Sequence, residues 1–241
     1  MSQQEKTAIV TGGSRGIGRG VAEALLEKGW KVWICSRSQD SVDRAVREME
    51  GKGAIQGRLQ GRPVDVRDQD QVERFVREVA DAEGRIDALV NNAGLGHFGS
   101  VDELSGDQFR EVVETNLNGC FYFIRAVAPA MKERGSGWIV NIASLASKNP
   151  FAGGAAYNAS KFGLLGMSEA AMLDLRPHGI RVASILPGSV NTEFGGGHGS
   201  GDQGWKLQPK DIAAMVLHLL SYPDNALPSL VEMRPSRPPG K

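Results

Sequence analysis

Positions 157–161 read Tyr-Asn-Ala-Ser-Lys. On a helix, residues four apart lie one above the other on the same face. Tyr157 and Lys161 then project side by side, with only small residues between them. Taken alone, the pair is equally an ordinary Tyr and an ordinary Lys on a partly exposed helix. What it does depends on the rest of the chain.

A second group of residues with chemical potential is Thr-Gly-Gly-Ser-Arg-Gly-Ile-Gly at 11–18. Glycines at such a place let the backbone turn tightly and approach a pyrophosphate, which sits on a helix N-terminus. The glycines fall at Gly12, Gly16 and Gly18, a departure from the common G-x-G-x-x-G. A third group follows at Cys35-Ser36-Arg37-Ser38. An acid at the end of a second strand would accept from the 2′-hydroxyl of NAD. Here that position holds Ser36, with Arg37 beside it and Arg15 in the glycine-rich turn. Two guanidiniums and no carboxylate suit the 2′-phosphate of NADP(H) over NAD(H). The plainer alternative is two solvated surface arginines. Asp40 reads as the cap of the next helix.

Elements must bring these groups together. β-Branched or apolar runs alternate with amphipathic ones. Strands are expected at Lys-Thr-Ala-Ile-Val-Thr (6–11), Lys-Val-Trp-Ile-Cys-Ser (31–36), a run ending at 62–66, Ile-Asp-Ala-Leu-Val-Asn-Asn-Ala-Gly (86–94), 138–144, Ile-Arg-Val-Ala-Ser-Ile-Leu-Pro-Gly (180–188) and 228–233. Helices are expected at about 17–28, 40–50, the run from Asp70, 107–134, 154–176 and 209–221. Repeated strand–helix alternation argues for an α/β, doubly wound, parallel seven-stranded sheet with helices on both faces. Ligands of such sheets bind beyond the carboxyl ends of the strands. Those ends carry the glycine-rich turn, Asp65-Val66, Asn92-Ala93-Gly94, Ser144 and Pro187-Gly188-Ser189-Val190-Asn191-Thr192. No linker or repeat divides the chain, so 1–241 is expected to be one Rossmann-type domain, with a Gly-rich substrate lid at about 191–206.

The bulk numbers exclude other classes. The 241 residues carry 28 Lys and Arg against 28 Asp and Glu, which leaves no electrostatic footprint for nucleic acid or an anionic membrane. Cys35 and Cys120 lie in apolar stretches and read as small buried residues of a reducing compartment, so neither a disulfide nor a metal site is expected. Signal-peptide layout and long apolar runs are missing from the sequence, which points to a cytoplasmic protein.

The set of motifs resembles the short-chain dehydrogenase/reductase family over nearly the whole chain. The likeness rests on 11–18, Asp65, Asn91–Gly94, Asn116, Ser144, the Tyr157–Lys161 stretch and 187–192, in family order, with Ser144 thirteen positions before Tyr157. The resemblance implies a hydride-transfer enzyme that interconverts a carbonyl and a secondary alcohol. Tyr157 would be its general acid/base. Free Tyr has a pKa of about 10, and a neighbouring ammonium favours the phenolate, so Lys161 would tune it and hold the nicotinamide ribose. Ser144 would hydrogen-bond the substrate oxygen. Asn116 would open its helix and hold a water leading to Lys161. Gly12, Ser14, Arg15, Gly16, Ile17 and Gly18 would cradle the phosphates, with Arg37 on the 2′-phosphate. Asp65 and the backbone of Val66 would hold the adenine, and Asn92, Ala93 and Gly94 the adenosine ribose. Pro187 and Gly188 would pass the nicotinamide, with Val190 and Thr192 at its carboxamide.

The family also pairs two long helices across a two-fold axis. The helices at about 107–134 and 154–176 are apolar on more than one face, so a homodimer or homotetramer is expected. The substrate is read as a small carbonyl compound or alcohol, with His97, Phe98, Asn149, Phe151, Phe194 and Trp205 on the pocket wall. The lid is expected to be mobile and to lack apolar bulk. A 3-oxoacyl-carrier-protein reductase is the alternative enzyme. Its family branch docks an acidic carrier on basic residues where this chain has Pro129 and Leu173. A non-enzymatic NADP sensor is the alternative from another class, although such proteins usually lose the Tyr or the Lys.

Overall fold

The structure is a computed structural model that describes residues 5–51, 57–194 and 204–237. Seven strands form one sheet in the order β3-β2-β1-β4-β5-β6-β7, and every neighbouring pair is parallel. The strands are β1 Thr7–Thr11, β2 Lys31–Ser36, β3 Leu59–Pro63, β4 Ala88–Asn91, β5 Gly137–Ile142, β6 Ile180–Pro187 and β7 Leu230–Met233. The helices are α1 Gly16–Glu27, α2 Gln39–Glu50, α3 Gln69–Glu83, α4 Gly106–Val113, α5 Gly119–Arg134, α6 Ala155–Leu175 and α7 Pro209–Leu220. This is the doubly wound architecture that the alternating pattern implied.

The central strands read as unbroken apolar runs because both faces of the sheet are covered. Side chains alternate between those faces. In β1, Ala8 and Val10 pack with α1, α2 and α7, while Ile9 packs with α3, α5 and α6. The chain order reverses between β1 and β4, which opens a crevice at their carboxyl ends. Thr11 and the glycine-rich turn lie on one side of it, and Asn92–Gly94 on the other.

The fold differs locally from the sequence reading at three places. Ser38, not Asp40, caps α2: its side chain accepts from the Ser41 N–H at 3.4 Å, and Asp40 sits in the first turn. β3 ends at Pro63, ahead of the expected 62–66 end, and the Val64 N–H still donates to the Ser36 carbonyl beyond it, at 2.9 Å. The helix expected over 107–134 is broken at Glu114–Asn118, which forms a π-helical turn. Such a turn widens the hydrogen-bond ladder, and it contains Asn116.

Candidate active site

α6 is the element that carries Tyr157 and Lys161. It starts at Gly154–Ala155, so the Tyr lies in its first turn and the Lys one turn further on. A chain of buried polar side chains fixes the helix against the sheet. The Asn91 amide donates to Asn141 Oδ1 at 2.9 Å, and the Asn141 amide donates to Ser168 Oγ on α6 at 2.8 Å. The Ser168 hydroxyl in turn donates to the Leu164 carbonyl at 2.6 Å. Asn91 and Asn141 are register partners in β4 and β5. Two adjacent strands therefore hold the helix by hydrogen bonds that only one register allows.

Lys161 is 5% exposed, with its Nζ donating to the Ile142 carbonyl at 2.9 Å. That nitrogen lies 5.8 Å from the centre of the Tyr157 ring. Burial pulls the Lys161 pKa down from 10.5 to about 8. The Tyr157 phenol moves the other way. Burial raises it above its ordinary value, and a hydrogen bond with Ser144 opposes that only in part. The lowering expected from Lys161 is thus absent from the site as it stands, and the phenol is held protonated. Ser144 follows β5 and caps the turn at Leu145–Ser147, its Oγ accepting from the Ala146 N–H at 3.1 Å.

Asn116 is fully buried and braces the crevice. Its Oδ1 accepts from the Leu95 N–H at 2.9 Å, and its Nδ2 donates to the Leu95 carbonyl at 2.9 Å and to Ser160 Oγ at 3.0 Å. Both amide protons are engaged. A water at this side chain could only donate to Oδ1, a narrower role than the one expected from sequence.

The glycine-rich turn at 11–18 is sharply curved. Gly12 and Gly16 have φ of +64° and +55°, which side chains disfavour. Thr11 Oγ1 accepts from the N–H groups of Asn92 and Ala93, each at 2.9 Å, and locks the two lips of the crevice together. A Cβ on Gly94 would lie 3.2 Å from Asn116 Oδ1, and one on Gly188 3.1 Å from Leu145 Cδ1, so both glycines are places of close approach.

Two observations bear on whether a dinucleotide phosphate fits. The N-terminus of α1 has no side-chain cap and no acid in its first turn, which leaves its N–H dipoles for an anion. Ser36 Oγ at the end of β2 is buried without a hydrogen-bond partner. Both suit a phosphorylated ligand along this edge. The nearby arginines carry counter-ions. Arg15 Nη1 lies 3.3 Å from Glu193, and Arg37 Nη1 lies 3.3 Å from Glu111. The Asp65 carboxylate is held by Arg67 through Nε and Nη2 at 2.6–3.1 Å, which lowers its pKa. Arg67 was not singled out from sequence. An Asp-x-Arg spacing at a strand end is the signal that could have found it.

On the substrate side, Phe98, Phe151 and Phe194 gather around Tyr157. His97 turns away to Glu111, with Nε2 2.8 Å from Oε2. Asn149 folds back onto the Leu145 carbonyl at 3.2 Å. Trp205 carries Lys206 over its ring at 5.7 Å. Val190 pairs with Leu207, and Asn191 N–H donates to the Leu207 carbonyl at 2.8 Å, so the segment expected to be a lid leaves and returns at one point. Thr192 packs near Gly16. Residues 195–203 of that segment lie outside the described residues.

A doubly wound sheet, a glycine turn at its switch point and a half-buried Ser–Tyr pair beside a buried Lys are the features of an oxidoreductase class. A family model, "short chain dehydrogenase", matches residues 6–202, and the chain belongs to that family. It is 34% identical over 237 residues to an uncharacterised oxidoreductase of Staphylococcus saprophyticus, covering 96% of this chain and 98% of that one. Among solved structures it resembles an alcohol dehydrogenase of the archaeon Thermococcus sibiricus complexed with 5-hydroxy-NADP. That match has a TM-score of 0.89 and 29% identity over 98% of this chain and all of the other. It also resembles a variant of actinorhodin polyketide ketoreductase with NADPH, with a TM-score of 0.87 and 32% identity over 98% of each chain. No helix among the described residues is long and apolar enough to cross a membrane.

Proposed function

We propose that the protein is an NADP(H)-dependent carbonyl reductase, reversible as an alcohol dehydrogenase, with Tyr157 as its general acid/base. The observation that carries this reading is the half-buried phenol of Tyr157, bonded to Ser144 and one helical turn from a desolvated Lys161. The cofactor assignment draws support from the two solved relatives that carry NADP-type ligands.

The dinucleotide would lie along the carboxyl edge of the sheet. Gly12, Ser14, Arg15, Gly16, Ile17 and Gly18 would hold its phosphates at the start of α1, and Arg37 its 2′-phosphate. Asp65 and Val66 would meet the adenine, and Asn92, Ala93 and Gly94 the adenosine ribose. Lys161, Pro187, Gly188, Val190 and Thr192 would line the nicotinamide half. When bound, it supplies a hydride to the carbonyl carbon.

The side chains handle the proton. Ser144 donates a hydrogen bond to the substrate oxygen and sets its position. Tyr157, protonated by virtue of its burial, gives its proton to that oxygen as negative charge develops there. Lys161 stands beside the phenolate that remains and stabilises it. Its pKa of about 8 lets it exchange protons near neutral pH. Asn116 acts as a positioning residue, through Leu95 and Ser160. In the reverse direction the phenolate takes the alcohol proton.

The ketoreductase relative favours a second reading, reduction of a carrier-bound 3-oxoacyl group. Against it, Pro129 lies inside α5 and Leu173 is an exposed apolar residue of α6 where an acidic carrier would need cations. Tyr157→Phe is the direct test of the mechanism. It should lower turnover by roughly 10²–10⁴-fold while NADPH, titrated by fluorescence, still binds within about twofold of wild type. A variant that keeps substantial activity would end the mechanism.

A further inference from the structure

Three phenylalanines from three separate segments converge on the proposed proton donor. The ring centres of Phe98, Phe151 and Phe194 lie 5.7, 6.4 and 5.6 Å from that of Tyr157. Phe98 is also 6.0 Å from Phe151, and 6.4 Å from Phe194 in an edge-to-face arrangement. Each of the three is 44–48% exposed. They form a wall rather than a core, and a wall of this kind is the default setting for an apolar ligand.

The backbone is shaped to hold the rings there. A Cβ on Gly96 would lie 2.6 Å from Phe98 Cζ, and one on Gly154 would lie 2.6 Å from Phe151 Cε2. Both rings therefore rest on bare glycine backbone. The two loops are tied to each other, with the Gly99 N–H donating to the Gly153 carbonyl at 2.9 Å and Gly99 bridging Gly154. Phe98 and Phe151 are thus held in fixed relation without a contact from the core.

The charges next to these rings in sequence are neutralised within the protein. His97 faces Glu111, Glu193 faces Arg15, and Lys148 faces Glu232, which also meets Arg234. Among these described pairs, a substrate carboxylate or phosphate would have to displace a partner to be recognised.

We infer that the Phe98–Phe151–Phe194 wall is the substrate subsite, and that it selects an uncharged ketone or aldehyde with an aryl or similarly flat apolar group next to the carbonyl. The inference rests on the proposed reductase reading and adds the substrate class. A flat ring beside Tyr157 would stack or meet the Phe rings at their edges, and its carbonyl oxygen would reach Ser144 and Tyr157.

The test has two arms. With NADPH saturating, kcat/KM is compared for acetophenone, acetone and pyruvate, in wild type, Phe98→Ala and Phe194→Ala. The inference expects acetophenone to exceed the other two by tenfold or more. It expects each variant to lower the acetophenone value by roughly tenfold more than the acetone value, chiefly through KM. A preference for pyruvate, or variants that lower acetone and acetophenone alike, would overturn it. The second arm uses acetanilide, a flat aryl carbonyl compound that is not reduced, titrated by calorimetry into the cofactor-free protein. Binding that weakens roughly tenfold in each variant supports the wall as an aryl subsite, and equal binding in wild type and both variants overturns it. Thermal unfolding of each variant checks that it is folded. Absence of turnover with every carbonyl compound, alongside acetanilide binding that depends on Phe98 and Phe194, would refute the reductase reading and leave the aryl subsite standing.

Discussion

Lys161→Met should change how stability depends on pH, in a direction fixed by burial. A lysine whose folded pKa is about 8 and whose ordinary value is 10.5 is penalised for its charge. One pKa unit corresponds to about 1.4 kcal/mol, so the full penalty is about 3.4 kcal/mol. Below pH 8 both the folded and the unfolded chain carry the proton, and the penalty is complete. As pH rises through 8 the folded protein releases its proton while the unfolded chain keeps one until about 10.5. The unfolded state then binds more protons, so this group makes the fold more stable as pH rises. From pH 6.5 to pH 9 the gain is about 1.4 kcal/mol.

Methionine removes the charge and keeps the volume. It also leaves the Ile142 carbonyl without its donor, now 2.9 Å from Nζ, at a cost of about 1–3 kcal/mol. At pH 6.5 the variant should therefore be the more stable by about 1 kcal/mol, and by pH 9 roughly level with wild type. The assay is urea unfolding of the cofactor-free protein at both pH values. The quantity to read is the change in the wild type–variant difference, because the titrations common to both proteins cancel in it. The buried thiol of Cys35, raised to about 12, is the main example. A difference that stays flat, or that grows in favour of the variant as pH rises, would refute the view that Lys161 is a desolvated ammonium. It would also remove the reason for giving it a pKa near that of its working pH.

Other outcomes follow from the same geometry. Wild type should bind NADPH roughly tenfold tighter than NADH, and Ser36→Asp with Arg37→Ala should abolish that preference, measured by fluorescence titration. Glu111→Gln should tighten NADPH by up to roughly fivefold and leave NADH alone, because the half-buried carboxylate 3.3 Å from Arg37 competes with the phosphate. Gly179→Ala should cost about 3–5 kcal/mol in urea unfolding, since φ is +74° and the new Cβ would lie 2.1 Å from the Gly135 carbonyl oxygen. Gly84→Ala, at φ +69° with open space around it, should cost only about 1–2 kcal/mol and so isolates the clash. Light scattering should find a dimer or tetramer at micromolar concentration, because Phe109, Phe121, Phe162 and Leu173 stand exposed on α4, α5 and α6. A monomer would refute that reading.

What could be read from the chain beforehand follows the range of the forces involved. The strands were legible because a doubly covered sheet demands continuous apolar runs, as in Thr7–Thr11 and Lys31–Ser36. Tyr157 and Lys161 were legible because their relation is one helical turn. The interruption at Asn116 was anticipated through family likeness, and the π turn at Glu114–Asn118 is its physical form. Contacts set by tertiary register were not legible. The Asn91–Asn141–Ser168 chain joins residues far apart in sequence, and no local spacing marks it. A polar residue near the end of each of two adjacent buried strands, Asn91 in β4 and Asn141 in β5, is the pattern that could have revealed it.

The substrate wall shows the same limit from the other side. The lid was judged from its own composition as too poor in apolar bulk to shape a pocket. That judgement treated 191–206 as if it acted alone. In the fold, its Phe194 completes a surface begun by Phe98 after β4 and Phe151 before α6. Each ring is isolated in its own segment, and only the crossing of those segments over Tyr157 makes them one apolar face. Gly96 and Gly154 are the positions where a side chain would push Phe98 and Phe151 off that face. Specificity here is thus a property of where loops meet. The proposed proton chemistry rests on one helix, so its two residues stand within five positions of sequence, whereas the three rings do not.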